Sequence, residues 1–290
     1  MKKKPHFSRT AFALALLLTA FPAFLAAQSA GRVDFTARVA PTDGRPEPVR
    51  QMTFYLLSKS LEDVRTEALQ LEPAPDLNKF IDGLKGSPEL KAWMKKHHSV
   101  QLMGRDFTKS LSPDDIVDVP ELFTAYMARN EAFKGVGFPS PKFKEKDKDA
   151  NPEKYKAQKE EYIAAIRKFI AAVPESVEGM DTDLEEVNPF QKWQQIVFLQ
   201  REQLEKKTIE LAQQHYLTAQ ADTDLDGHGS FATVAPGTYW ISMVGVQAIS
   251  GDVRLRWDLP VTVRPDESIR VELNNLNAER PNTTADNSTH

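Results

Sequence analysis

The chain has 290 residues, with 37 Lys and Arg against 41 Asp and Glu, six His and no cysteine. The lack of cysteine excludes disulfides, thiolate nucleophiles, iron–sulfur clusters, thiolate zinc sites and a lipobox anchor. The mildly acidic balance, with both signs mixed along the chain, lacks the basic face of a nucleic-acid binder, and 41% apolar residues suffice to bury a core.

Lys2, Lys3, Lys4 and Arg9 precede an almost wholly apolar run from Ala11 to Ala27, followed by Gln28-Ser29-Ala30. That order of positive, apolar and small residues predicts a Sec signal peptide over 1–27, with cleavage after Ala27 ahead of Ala30. The run contains Pro22 and falls short of the roughly 20 residues that a membrane span needs. No transmembrane anchor is therefore expected after cleavage. Removing four positive charges and no negative one takes the net charge from −4 to about −8. An exported chain without cysteine holds its fold by packing alone.

Residues 32–40 alternate, with Val33, Phe35, Ala37 and Val39 on one face and Arg32, Asp34, Thr36 and Arg38 on the other; this is a strand with one wet side. Pro41 to Gly44 reads as a turn and 51–57 as a second strand. The period then changes, and 58–72, 76–86, 88–98, 113–134, 152–173 and 189–216 read as helices. Ser87-Pro88-Glu89, Ser112-Pro113-Asp114 and Asn151-Pro152-Glu153 each supply a cap, a first-turn proline and an acid. The run 142–161 alternates in sign, as a solvated loop and helix start does. Strand periodicity returns near Leu217. It continues through 229–234, a Pro236-Gly237 turn, 239–244, the long alternation 253–263, and 269–273. Residues 277–290 are polar and aperiodic and read as a loose tail.

The β-rich ends, 28–57 and 216–290, total roughly 105 residues and about seven strands, the size of an immunoglobulin-like sandwich. Two strands alone cannot cover a core. The expected fold is thus α+β: a seven-stranded sandwich formed discontinuously by 28–57 and 216–276. An all-α insertion, 58–215, separates strands two and three.

Gly31 to Val39, the turn and the second strand resemble the opening of carboxypeptidase regulatory-like (transthyretin-like, Cna B-type) domains. Thr223-Asp224-x-Asp226-Gly227-x-x-x-Phe231-x-x-Val234-x-Pro236-Gly237-x-Tyr239 is similar to that family's T-D-x-x-G-x-F…P-G-x-Y core, with one or two extra residues before Phe231. The resemblance covers the β-rich ends only. It implies a seven-stranded transthyretin-like sandwich, a carbohydrate-binding-like fold, and a non-catalytic accessory or binding role in an exported protein. Some Cna B-type domains join a first-strand Lys to a last-strand Asn; here that strand offers Arg32 and Arg38 and no Lys, so no isopeptide is expected.

Catalytic signatures are missing from the sequence. No His-Glu-x-x-His or His-x-x-Glu surrounds His97, His98, His215 or His228, and no Gly-x-Ser-x-Gly, Walker or dinucleotide motif occurs. His97-His98 follows Lys95-Lys96, as cations do at a helix end. Asp222, Asp224 and Asp226 before Gly227 match the first half of a calcium loop, yet the twelfth position is Thr233 instead of Glu. The alternative is an acidic turn whose Asp side chains cap backbone amides. Calcium is the one cofactor that the pattern admits.

The leading reading is an exported, non-enzymatic binding or scaffolding protein of the periplasm or cell surface. Its partner would be a protein or another envelope component. The alternative is a carbohydrate-binding module using exposed aromatics of the sandwich. A third reading places an enzyme in the helical lobe, with Asp106, Asp114, Asp115 and Asp118 as acids. Finally, strand 51–57 is apolar on both faces, which demands cover on both. The resemblance makes the Tyr239–Met243 face core and so turns Trp240 and Val244 outward; Tyr55, Leu57, Trp240 and Val244 are therefore expected against insertion helices, unless Trp240 stays exposed as a stacking platform.

Overall fold

The structure, a computed structural model, describes residues 29–131 and 137–279. The expected signal peptide and the tail from 280 onward lie outside the described residues. Helix and sheet are both abundant, giving an α+β chain. Its outer sheet is centred on β1 (Gly31–Val39). β1 pairs in parallel with β10 (Ser268–Leu273) and antiparallel with β5 (His228–Val234), and it meets the two-residue β2 (Glu47–Pro48) near its end. The second sheet has the order β4 (Leu217–Asp222), β3 (Thr53–Leu57), β6 (Gly237–Ser242), β9 (Asp258–Val263), all antiparallel. β7 (Ala248–Ser250) and β8 (Val253–Leu255) form a small separate hairpin. The described residues thus hold ten strands where the periodicity suggests seven. The alternation 253–263 divides at Arg256 and Trp257 into two strands of different sheets.

The inward faces of the two large sheets enclose one core. Val33, Phe35, Ala37 and Val39 of β1 meet Phe54 and Leu56 of β3, Ile241 of β6 and Trp257. Phe35 lies 4.9 Å from Phe54 and 5.2 Å from Phe231 between ring centroids. Burying such rings is the largest stabilising contribution available to a chain without cross-links. Gly229 stands opposite Phe35 in the β1–β5 register, and the Phe35 ring occupies its missing side-chain space, 2.3 Å from where a Cβ would sit. Trp257 is fully buried, and its indole N–H donates to the Asn274 carbonyl at 3.1 Å. Beyond β10, Glu279 pairs with Arg256, and Ala278 packs on the core. Over 277–279 the loose tail expected from 277 is thus replaced by packed and paired residues.

Between β3 and β4 the chain is helical: α1 (Leu61–Leu71), α2 (Leu77–Asp82), α3 (Pro88–Lys96), α4 (Arg105–Ser110), α5 (Pro113–Asp118), α6 (Pro120–Arg129), α7 (Asp147–Ala150), α8 (Pro152–Ala172) and α9 (Phe190–Leu211). Ser60, Asp76, Ser87, Ser112 and Asn151 cap their helices through side-chain oxygens, which satisfies amides that would otherwise be orphaned. The single helix expected over 113–134 is broken. Pro120 lacks an amide and forces Val119 out of helical geometry (φ −100°, ψ 112°), so α5 ends and α6 begins there. α4 and two 3₁₀ segments, Pro174–Val177 and Met180–Val187, fill stretches without a periodic pattern. These elements share a second core around Leu90, Trp93, Met94, Ile116, Leu122, Tyr126 and Ile166. No helix among the described residues is long and apolar enough to cross a membrane.

Candidate functional site

Three places bring chemistry-bearing side chains together: the outer face of the β10–β1–β5 sheet, the joint between sheets and helices, and a cleft among the helices. On the outer face the register sets rows across the strands. Thr36 lies between His228 and Glu272, and Asp34 between Ser230 and Arg270. They line a groove of about 680 Å³ that also takes in Asp222 and Asp224. Most of its polar groups are bound to one another. Arg32 Nε donates to Asp34 Oδ1 at 2.7 Å and holds that carboxyl below its ordinary range. Thr36 Oγ1 lies 2.9 Å from His228 Nδ1.

The acidic turn behind this groove uses its carboxylates internally. Thr53 Oγ1 donates to Asp222 Oδ1 at 2.6 Å, tying β3 to β4. Asp224 Oδ1 accepts the His228 amide at 2.8 Å and the Asp226 amide at 2.9 Å, and these bonds lower its pKa. Asp226 is exposed. Among the described residues no group of three or more His, Asp or Glu is placed to hold a metal ion. The hydrogen bonds of Asp222 and Asp224 are those of a capped turn. Gly227 completes it. Its φ is +81°, its carbonyl accepts the Ala37 amide at 2.8 Å, and a Cβ would stand 2.5 Å from the Ala37 carbonyl oxygen.

The joint is built where β3 leaves the sheet. Leu57 and Val244 are buried together with Leu61, Val64 and Ala68 of α1 and Leu204, Leu211 and Ala212 of α9 and its last turn; Tyr55 packs at the margin. Trp240, the cross-strand partner of Leu57, is half-buried and outside this cluster. Of the four residues expected at the joint, two are buried in it, one borders it and one is separate. Polar bonds add to the packing. Asp258 of β9 accepts the Leu61 amide at 2.7 Å and the Ser242 hydroxyl at 2.6 Å, so a sheet carboxylate caps α1. Burial raises the Asp258 pKa above its ordinary value despite these bonds. The Ser58 amide donates to the Tyr216 carbonyl at 2.9 Å, closing the two ends of the helical segment on each other. Glu67 accepts Lys59 Nζ at 2.7 Å and the Tyr216 hydroxyl at 2.6 Å; Lys59 and Tyr216 together hold its pKa down. Periodicity pointed to Leu57 and Val244. Asp258 was missed, because an acid within a strand carries no local sign that a helix start lies above it.

The third place is a cleft of about 700 Å³ between α4, the end of α8 and the 3₁₀ segments. Arg105 and Lys109, one turn apart on α4, are on its rim with Glu175, Glu178 and Asp181, while Leu111, Ile170 and Val177 supply apolar lining. Asp181 Oδ2 accepts the Gly104 amide at 2.9 Å, which fixes the start of α4. Gly104 has φ +97° and offers no side-chain cap, so the usual helix-start signal is missing here. Three of the four acids considered for catalysis are engaged outside the cleft. Asp114 and Asp118 both pair with Arg167, the former at 2.9 Å. Asp115 forms a capping box with Ser112, and Asp106 is an exposed first-turn acid of α4. His97 is the C-cap of α3, stacked on Trp93 at 4.4 Å.

No family model, curated protein or solved structure matches this chain. The functional reading therefore rests on its own residues.

Proposed function

We propose that this chain is an exported, non-enzymatic binding or scaffolding protein of the periplasm or cell surface. In this reading the sheets are a carboxypeptidase regulatory-like mount of the transthyretin-like kind, and the helical segment is a binding lobe for a protein or envelope partner. The observation that carries it is the helical cleft, where among the described residues the side chains of Arg105, Lys109, Glu175 and Glu178 make no bond within the fold, on a lobe joined to the sheets through a shared core. A surface that must present a partner gains from such a joint, since a rigid mount loses less conformational freedom on binding. The signal-like sequence over 1–27 and the resemblance of Thr223 to Tyr239 support the export and the accessory role. The carbohydrate-binding alternative has less support. Tyr55, Tyr239 and Trp240 are only half-exposed and Trp257 is buried, whereas sugar stacking needs an open ring.

Two measurements test the proposal together. Fractionation should place the mature chain outside the cytoplasm with residues 1–27 removed. Affinity purification of the full mature chain from its native envelope should recover a stoichiometric partner, and that partner should be lost when the cleft rim is reversed in charge by Arg105→Glu and Lys109→Glu. A chain retained in the cytoplasm, or a partner indifferent to the reversal, would contradict it.

A further inference from the structure

The cleft carries both signs of charge around an apolar floor. Among the described residues, no ion pair or hydrogen bond engages the side chains of Arg105, Lys109, Glu175 or Glu178, although they share one depression. Some exposed charges of this lobe do pair, as Arg167 does with Asp114 and Asp118, and Lys142 with Glu161 at 2.8 Å; what sets the cleft apart is that both signs line one depression. The two cations stand on α4. The two carboxylates stand on and just after the 3₁₀ segment Pro174–Val177, and Ile170 and Val177 line the same cleft. A ligand that neutralises one set alone leaves the other unmatched. A ligand with an anion at one end, a cation at the other and an apolar body between them satisfies both sets and covers the floor. The volume, about 700 Å³, is in the range of small-ligand sites.

We propose that this cleft binds a short apolar peptide with free termini, its carboxylate toward Arg105 and Lys109 and its ammonium toward Glu175 and Glu178. This rests on the reading of the helical segment as a binding lobe and names the chemistry that the lobe takes. The test is calorimetric titration of the full mature chain with Ala-Leu-Ala, its N-acetyl form and its C-terminal amide. The free peptide should bind with a dissociation constant below about 1 mM, and blocking either end should weaken it by about tenfold or more. Arg105→Ala with Lys109→Ala should abolish the preference for free over amidated peptide while keeping the preference over the acetylated one. Glu175→Gln with Glu178→Gln should do the reverse. Equal affinity for all three peptides, no binding up to about 10 mM, or variants that keep both preferences would overturn the proposal. A failure of peptide binding alongside a partner that still depends on the cleft rim would overturn this inference and leave the binding-lobe reading standing.

Discussion

Two depressions of nearly equal volume, about 680 Å³ on the outer sheet and about 700 Å³ among the helices, differ in what their polar groups already hold. On the sheet, Arg32 is bound to Asp34, Thr36 to His228 and Asp222 to Thr53, and Asp224 is spent on two amides of its own turn. Among the described residues, the side chains of Arg270 and Glu272, exposed on the same face of β10, and the buried Ser230 hydroxyl are left without such a partner. In the helical cleft, the side chains of Arg105, Lys109, Glu175 and Glu178 have no partner among the described residues. Size does not separate the two surfaces, but internal satisfaction does. A polar group that closes a turn is structural, and one that the fold leaves unused is available to a ligand.

That contrast can be broken from either side. The largest loss is expected at Gly227→Ala, where a left-handed backbone and a Cβ 2.5 Å from a carbonyl oxygen should together cost about 3 kcal/mol; a melt at the native temperature would mean that the acidic turn is not docked on β1. Next comes the joint. Asp258→Ala strands the Leu61 amide and the Ser242 hydroxyl, at a cost of about 2 kcal/mol in urea unfolding. Because burial raises the Asp258 pKa in the folded chain, its protonated form is the one that folding favours. The associated stability is present below the unfolded value near 3.8 and is lost as pH rises through the raised one. Relative to Asp258→Asn, the native chain should therefore gain stability between pH 7 and pH 4, and a difference independent of pH would contradict the buried cap.

Asp224 has the opposite sign. The His228 and Asp226 amides lower its pKa, so its contribution is present above the ordinary carboxylate range and lost as pH falls through the lowered value. Asp224→Asn should flatten part of the acid limb of the stability curve. The smallest effects belong to the cleft, where Arg105→Ala and Glu175→Ala should each change stability by no more than about 0.5 kcal/mol. A larger loss at either would show that the cleft charges serve the fold after all.

Much of the sheet core was legible in the sequence. The alternation of Val33, Phe35, Ala37 and Val39 matches the buried face of β1, because a period of two needs only local reading. The division of 253–263 was not visible. Leu255 and Trp257 are both buried and keep the period, while the change occurs in backbone pairing. Nor does anything local announce that β1 lies parallel to β10, which is distant in the chain. The break at Pro120 could have been read from the missing amide, but the apolar spacing of Ile116 and Leu122 runs through it. For the acidic turn, the sequence offered a half-formed calcium loop and a capped turn as alternatives. The hydrogen bonds of Asp222 and Asp224 that form the turn depend on where β3 and His228 lie, which no local pattern shows. The resemblance turns Trp240 outward with Val244 and so places it at the joint, yet the cluster formed by α1 and α9 covers Leu57 and Val244 without it. The cleft left no signal. Its cations stand on a six-residue helix with no capping side chain, and its acids stand on or just after 3₁₀ segments.

The central claim, that the helical cleft and not the sheet face meets the partner, is tested most directly by position-specific photo-cross-linking in the native envelope. A photoreactive residue at Lys109 samples the cleft, and one at Glu272 samples the outer sheet. The account predicts a discrete cross-linked species from position 109 and none from position 272. A cross-link from 272 with none from 109 would contradict it.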